Sequence, residues 1–538
     1  MDKQRRFKQI KVAVSLALLV CIAALDSWIC FKRIQETMPY PRHMDEVFIT
    51  QRALAILKSN DWNPHEFNYS SYPVYLTTGM LALGYLHHAG AGNKVDINAI
   101  KSVSYPYYDP PQILLPARIL FALLMVMAFV CMGLAAWRFF DIPEAMFLTP
   151  ITLTLSIFLL QHGWRYINVD TLAVSMAALT LTIVAFHAGS SSFGLTAILP
   201  GMLCGLTVAG KYTYVGIMLP AVLAIWIYGG RWRFYRTLAL LASAILMFVI
   251  VVPYSILDVR TFVEELGRLA YSYTQGRTGR TYAPGWDHAR HYIFFTLKDY
   301  GYYSVFPAVA GLVYMSFKNW RGAFILSSFP ILLLVHLSLS RLYYERNAAF
   351  CFLYYGLLVA VGLFAAYKLL FIILGKIGYL GTRKVLRAVG ASCAIIGVAY
   401  LVLPLQRPGQ MVSALPDTRN LATEWIKSNL PSGATILMPA ELSFYATPLA
   451  RKYKTLVRDY ALFKPETFVN DALALGADYV MMPVWASENG KTKTLSDIKN
   501  AVNNKIRPLV SYKGNPVGAN STYPVFYGDP AFSIGALK

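Results

Sequence analysis

Charge is what this sequence has least of. Asp, Glu, Lys and Arg together make up 14 % of 538 residues, against 56 % hydrophobic side chains, with a mean hydropathy of +0.45. A chain so poor in charge is neither disordered nor a cytosolic enzyme with a polar surface. Cysteine is also scarce. All six (Cys21, Cys30, Cys131, Cys204, Cys351 and Cys393) fall inside apolar stretches, where they read as small core residues and not as a disulfide framework or a zinc site. Acids are the scarcest charged type, 28 against 49 Lys and Arg, for a formal charge of +21. Such an excess can serve nucleic acid, anionic lipid or membrane topology; in a chain this apolar it is expected to serve topology, with no nucleic acid as partner. No internal repeat of the kind common in secondary transporters is visible. No small-residue cleavage site precedes Lys32, so the first apolar run is kept as a span and not as a removed signal peptide.

What is present is a series of apolar runs long enough to cross about 30 Å of hydrocarbon. They lie near residues 11–31, 113–136, 143–161, 171–187, 193–210, 212–228, 237–256, 302–317, 322–340, 347–367 and 388–405, which predicts about eleven transmembrane helices. The chain starts with Lys3, Arg5, Arg6, Lys8 and Lys11. With that end inside, the even-numbered connections hold Arg138, then Arg231, Arg233 and Arg236, then Lys318 and Arg321, then Lys368, Lys376, Arg383, Lys384 and Arg387. This satisfies the positive-inside rule. The expected protein is a multi-pass component of the cell inner (plasma) membrane, its N-terminus cytoplasmic, with segments 32–112 and 257–301 and everything after about Arg407 on the extracytoplasmic side. The stretch Tyr72–Leu86, short and proline-bearing, reads as interfacial.

Residues 409–538 have another texture. Thr418–Leu430 is amphipathic, Ala434–Met438 and Asp478–Met482 read as strands, and Pro465–Leu475 and Leu495–Asn503 as helices. Alternating elements predict a small α/β domain following a transmembrane domain of residues 1–408. It shows no phosphate-binding glycine loop, no metal-spaced His or Cys set and no Ser-His-Asp candidate; its plain reading is a domain for substrate access or partner contact.

Short external loops should be poor in Lys and Arg, yet Arg165 precedes the fourth span, Lys211 separates the fifth and sixth, and Arg341 and Arg346 precede the tenth. Cations at membrane depth are costly and mark a site or pathway, unless each snorkels alone to the headgroups. A lipid-linked phosphate is the simplest anion that would use them. Asp45 and Glu46 open the segment Met44–Ser59, where Ile49, Ala53, Ile56 and Leu57 recur at helical spacing. Their position suits a reactive carboxylate and equally an N-cap. Asp170 has the same ambiguity, with Asn168 competing as the cap. Aromatics crowd two external segments: Tyr69, Tyr72, Tyr75, Tyr105, Tyr107 and Tyr108 in the first, Tyr271, Tyr273, Tyr282, Trp286 and Tyr292 in the loop after the seventh span. They suit an interfacial belt or stacking on sugar faces.

Taken in order, the Asp45-Glu46 pair on a juxtamembrane helix, Arg165-x-x-x-x-Asp170, Gly210-Lys211, the arginine-bearing turn before a late span and a terminal α/β domain resemble the GT-C glycosyltransferases. The likeness is to the branch that takes sugars from polyprenyl phosphates, such as protein O-mannosyltransferases and lipid A aminoarabinose transferases. It covers about residues 10–405, and Thr418–Gly433 resembles the start of the soluble domain many relatives have. The resemblance implies Asp45 as catalytic base with Glu46 beside it, and Asp170 at the cavity rim supported by Arg165. It implies Lys211 and Arg346, with Arg341 nearby, on the carrier phosphate, and a flexible external loop near the donor head in Tyr273–Arg280, including Arg277. Tyr72 and Tyr75 fall where many bacterial relatives have Lys-Pro-Pro and this chain has Ser71-Tyr72-Pro73-Val74-Tyr75.

The implied reaction is an inverting transfer of a monosaccharide to a glycan, lipid or protein acceptor, with no cofactor required. His43, Asp45 and Glu46 could hold a divalent cation, but a monophosphate donor flanked by lysine and arginine already has its counter-charges. Rival readings are a transporter or flippase for a lipid-linked sugar, and an oligosaccharide ligase or polymerase with a pyrophosphate donor. The absence of Asp-x-Asp on the cytoplasmic side argues against direct use of nucleotide-sugars.

Overall fold

The structure is a computed structural model that describes residues 2–38, 40–41, 43–92, 111–156, 158–159, 166–276, 280–376, 418–439, 449–450, 452–459, 463–483, 506–512 and 532–537. The chain divides into two compact units. The first comprises Met1–Ile34, Phe48–Ala91 and Leu114–Leu405, the second Gln35–Val47, Gly92–Ile113 and Gln406–Lys538.

The helices run α1 (Asp2–Thr37), α2 (Met44–Ser59), α3 (Ser71–Gly90), α4 (Leu115–Phe140), α5 (Ala145–Thr154), α6 (Val169–His187), α7 (Leu199–Gly210), α8 (Met218–Tyr228), α9 (Arg233–Val251), α10 (Val259–Gln275), α11 (Trp286–Tyr300), α12 (Val305–Ser338) and α13 (Ala349–Lys376). Among the described residues six helices are long and apolar enough to cross a membrane: Arg5–Lys32, Leu115–Phe140, Val169–His187, Gly230–Val251, Tyr302–Ser338 and Glu345–Leu370. Ala145–Thr154, Gly194–Gly210 and Tyr212–Tyr228 are shorter apolar helices. The chain is a multi-pass helical membrane protein, because lipid offers no partner for backbone N–H and C=O groups and a helix satisfies them within itself. The expected span 388–405 lies outside the described residues.

Two of the expected spans, 302–317 and 322–340, share the element α12, which leaves helical geometry at Asn319 (φ −159°, ψ 88°). Asn319 ends one helix and starts the next. Its Oδ1 accepts from Gly322 N at 3.1 Å, as an N-cap does, and its Nδ2 donates to Phe139 O at 2.9 Å. At the basic start of the chain, Lys8 and Lys11 pair with Asp141 (2.8 Å) and Glu144 (3.1 Å) of the turn after α4, so both belong to the same end of the first unit.

Small residues allow the close crossing of α7 and α9. A Cβ on Gly201 would stand 2.4 Å from Leu240 O, and one on Gly205 2.3 Å from Ala244 O, so this small-x-x-x-small pair brings the two backbones together.

The second unit contains α14 (Thr418–Asn429), β1 (Thr435–Pro439), β2 (Lys454–Arg458), α15 (Phe468–Ala474), β3 (Tyr479–Pro483), β4 (Ile506–Tyr512) and β5 (Phe532–Leu537). The sheet order is β2-β1-β3-β5-β4; β1 runs parallel to β2 and β3, and β5 antiparallel to β3 and β4. All five residues of β1 are buried. Ile436 and Met438 pack with Ala422 and Ile426 of α14, whereas Leu437 packs with Phe468 and Ala472 of α15. A strand covered on both faces reads as an unbroken apolar run. The expected strands at Ala434–Met438 and Asp478–Met482 and the helices at Thr418–Leu430 and Pro465–Leu475 are present within a few residues. The expected helix Leu495–Asn503 lies outside the described residues.

Tyr40 belongs to the core on the α14 side, 1 % exposed, with its hydroxyl 3.2 Å from Thr423 Oγ1. Asn420 Nδ2 donates to Met38 O at 2.8 Å. These contacts make the segment that leads to Asp45 part of the second unit.

Candidate active site

Both aspartates that could have been helix caps are relieved of capping by a neighbour. In α6 the Asn168 side chain accepts from Thr171 N at 2.7 Å, so Asp170 stands in the first turn as a buried acid, 4 % exposed. In the second unit His43 Nδ1 accepts from Asp45 N at 3.1 Å, α2 begins at Met44, and Asp45 and Glu46 occupy its first turn at 1 % and 0 % exposure. The same Nδ1 is 3.4 Å from Asp45 Oδ1. A ring nitrogen accepting an amide proton has none of its own to give, so that atom makes a contact there and not an ion pair.

The remaining described candidates lie in the first unit. Lys211 Nζ ion-pairs with Asp170 Oδ1 and donates to Asn347 Oδ1 at 2.8 Å. Arg346 Nε lies 3.9 Å from Asp170 Oδ2, so each carboxylate oxygen faces a cation. Asn347 Nδ2 donates to the Tyr273 hydroxyl at 3.3 Å. One chain of contacts thus joins the start of α6, the residue after α7, the turn before α13 and the end of α10. The Lys211 and Arg346 side chains are 11 % and 19 % exposed. A buried ion pair contributes little net stability over an apolar replacement, so its place at membrane depth calls for another reason.

Four further arginines are expected here: Arg165, Arg277, Arg280 and Arg341. Arg280 and Arg346 each hold a guanidinium 5.2 Å from the centre of the Tyr344 ring, a distance that suits cation–π attraction, and Arg280 pairs with Glu345 at 3.1 Å. Lys211, Arg280 and Arg346 against Asp170 and Glu345 leave one positive charge in excess. Arg341 is exposed and takes part through its backbone: its N donates to Tyr273 O at 2.9 Å and its O accepts from Tyr282 N at 3.0 Å. With the Thr281–Leu342 bridge, these bonds fasten the stretch after α10 to the stretch before α13. Arg165 and Arg277 lie outside the described residues. Tyr72 is half-buried in α3. The Tyr75 hydroxyl donates to Trp62 O at 2.9 Å, and burial pushes it up to about 12.

Reasoning from charge alone missed Asn347, Tyr344 and Glu345, although all three flank Arg346. Uncharged or acidic neighbours of a misplaced cation are the signal that would have found them. Among the described residues no group of three or more His, Cys, Asp and Glu could hold a metal ion.

Lys211 reaches Asp170 because the end of α7 lies hard against α6. A Cβ on Gly210 would come within 3.1 Å of both Ala173 N and Ala173 Cα, tighter than ordinary contact. Gly210→Val should therefore push the helices apart at an overpacking cost of about 1–3 kcal/mol. Thermal unfolding in detergent would check this, and a variant as stable as the parent would show that α6 yields freely.

No protein-family model matches the sequence, and no curated protein sequence matches it. Similarity appears in three dimensions. ArnT from Cupriavidus metallidurans, solved bound to undecaprenyl phosphate and in the apo state, aligns over 97 % of both chains with a TM-score of 0.50 and 14 % identity. The archaeal oligosaccharyltransferase AglB from Archaeoglobus fulgidus aligns over 95 % of this chain and 74 % of its own, with a TM-score of 0.46 and 13 % identity. At 14 % identity the ArnT likeness shows the fold alone: this chain has a GT-C-like fold, with membrane helices followed by a small terminal sheet.

Proposed function

We propose that this protein is a membrane glycosyltransferase that moves a monosaccharide from a polyprenyl-phosphate donor to an acceptor hydroxyl on the extracytoplasmic face of the inner membrane, with its N-terminus in the cytoplasm. The observation that carries the reading is the pair of largely buried cations, Lys211 and Arg346, held by Asp170 in a turn region where lone cations would be costly. The ArnT structure bound to undecaprenyl phosphate supports a lipid phosphate as partner.

In this reading Lys211 and Arg346 receive the charge that develops on the leaving phosphate, in a cavity poor in water where fixed cations act strongly. Arg280 and Tyr273 border the donor head. Asp170 has both oxygens committed to cations and is a positioning residue. Asp45 is then the base: it takes the proton of the acceptor hydroxyl, whose oxygen attacks the anomeric carbon as the polyprenyl phosphate leaves from the opposite face, inverting the centre. The acceptor is a glycan, a lipid or a protein. No cofactor is needed, since the donor's charge is met by side chains.

The test is whether purified protein in nanodiscs, with no ion gradient, consumes a polyprenyl-phosphate sugar and releases polyprenyl phosphate. Movement of the intact lipid without its cleavage would instead make the protein a flippase. Turnover lost to a chelator and restored by a divalent cation would favour a ligase with a pyrophosphate donor.

A further inference from the structure

A second set of buried polar atoms in the first unit makes no close hydrogen bond among the described residues. Ser70 and Ser71 stand at the start of α3 and are 2 % and 0 % exposed. Ser70 has the extended backbone of an N-cap (φ −61°, ψ 146°), yet its side chain caps nothing. The hydroxyls of Ser70, Ser71 and Tyr212 and the Nη1 of Arg52 are all buried and make no close hydrogen bond among the described residues; at longer range the Tyr212 hydroxyl faces Ser70 and the Tyr75 hydroxyl faces Ser71. Three stretches of chain supply them, and they are neighbours: the Tyr212 hydroxyl is close enough to interact with both Ser70 and Arg52. Buried polar atoms left unsatisfied are rare and costly, and several in one place mark the seat of an absent group.

Arg52 is fixed for this purpose. Its Nη2 is engaged by Glu66 and by Asn68 Oδ1 at 3.3 Å, and its guanidinium lies 5.8 Å and 5.9 Å from the centres of the Phe48 and Tyr69 rings. Nη1 is left over. Burial pulls the guanidinium down from its ordinary value, opposed by Tyr69, Glu265 and Tyr212, and an arginine stays charged regardless. Glu66 is 57 % exposed and screened by solvent, whereas the Arg52 side chain is only 11 % exposed.

The chemistry of the set is one-sided. A guanidinium N–H, three hydroxyls and the first N–H groups of a 20-residue helix can all donate, and the helix adds the positive end of its dipole. Such a set suits a ligand rich in acceptor oxygens and negatively charged. We infer that Arg52, Ser70, Ser71 and Tyr212 form an oxyanion-binding site, for a phosphate or carboxylate group, distinct from the Lys211–Asp170–Arg346 group. Tyr212 directly follows Lys211, so the two sites border each other along the chain. The site rests on the proposed function only for the expectation that a prenyl phosphate is one source of the anion; a soluble anionic group on the acceptor is the other.

The test is equilibrium binding to the full-length protein in nanodiscs, with undecaprenyl phosphate, inorganic phosphate and uncharged undecaprenol as probes. Arg52→Gln should weaken binding of a phosphate probe about tenfold or more and Tyr212→Phe severalfold, as loss of donors to a charged group does, with undecaprenol unaffected. Glu66→Gln should leave binding unchanged or tighten it, because it frees the guanidinium. A loss confined to undecaprenyl phosphate assigns the site to the lipid headgroup, and a loss that extends to inorganic phosphate assigns it to a soluble anion; both support the site. If Arg52→Gln binds both probes like the parent, or if Glu66→Gln is as damaging as Arg52→Gln, the arginine is only a structural tie and the site is overturned. Lys211→Met in the same assay separates the two readings. A loss there with none at Arg52 sinks this site alone, and the reverse sinks the assigned role of Lys211 alone.

Discussion

Lys211→Met is expected to lower turnover by about 10²–10³-fold, the scale for removing one fixed donor to a developing anion. It should also destabilise the protein, since Asp170, 4 % exposed, would lose its nearest cation among the described residues and be left with Arg346 at 3.9 Å. Breaking a buried pair from one side costs about 3–5 kcal/mol. The two effects separate in the double variant Asp170→Asn, Lys211→Met, which removes the orphaned charge together with its partner. Thermal unfolding should recover most of the lost stability, while initial rates at saturating acceptor should stay low at every donor concentration. Rates that recover along with stability would mean that Lys211 only holds α6 and the end of α7 together.

Asp45→Asn is the second large effect. Asparagine has the shape of aspartate and can still accept a hydrogen bond, but it cannot take a proton at neutral pH, so a general base replaced in this way should lose about 10²–10⁴-fold in rate. Binding of undecaprenyl phosphate should be nearly unchanged, because the phosphate role is assigned to Lys211 and Arg346. The discriminating measurement pairs single-turnover rates with donor binding. A variant that turns over normally would remove Asp45 from the mechanism, and one that loses donor binding in proportion to rate would make it a binding residue.

How much could be read from the one-dimensional chain depended on the range of the physics involved. Apolar runs of span length are helical wherever hydrocarbon surrounds them, so Leu115–Phe140 and Val169–His187 were legible to within a few residues. The central strand β1 was legible because both of its faces are covered. Edge strand β2, with half-exposed residues and charged ends, and the two antiparallel strands β4 and β5 were not recognised, since their pairing partners lie far along the chain. The cations at Lys211, Arg341 and Arg346 stood out because their desolvation cost is local. Asp170 stood out as well, but its pairing with them did not, and Asn347 did not stand out at all. Asp170 and Asn347 lie 41 and 136 residues from Lys211, and no local rule links those positions.

Capping shows the same division at the scale of single turns. Asp45 and Asp170 each satisfied the sequence preference for a helix start, and so did Asn168, whereas His43 did not. Only the backbone path decided that His43 and Asn168 accept the free N–H groups. The order of residues alone thus determined that the chain crosses a membrane as helices and ends in an α/β domain, because burial in lipid and alternation along a strand act within one segment. Which carboxylate holds which cation, which arginine faces the site and which only lends its backbone, and where buried donors gather at Arg52, Ser70, Ser71 and Tyr212 were decided by tertiary structure. Those are meetings between distant segments, and their energies exist only once the helices have packed.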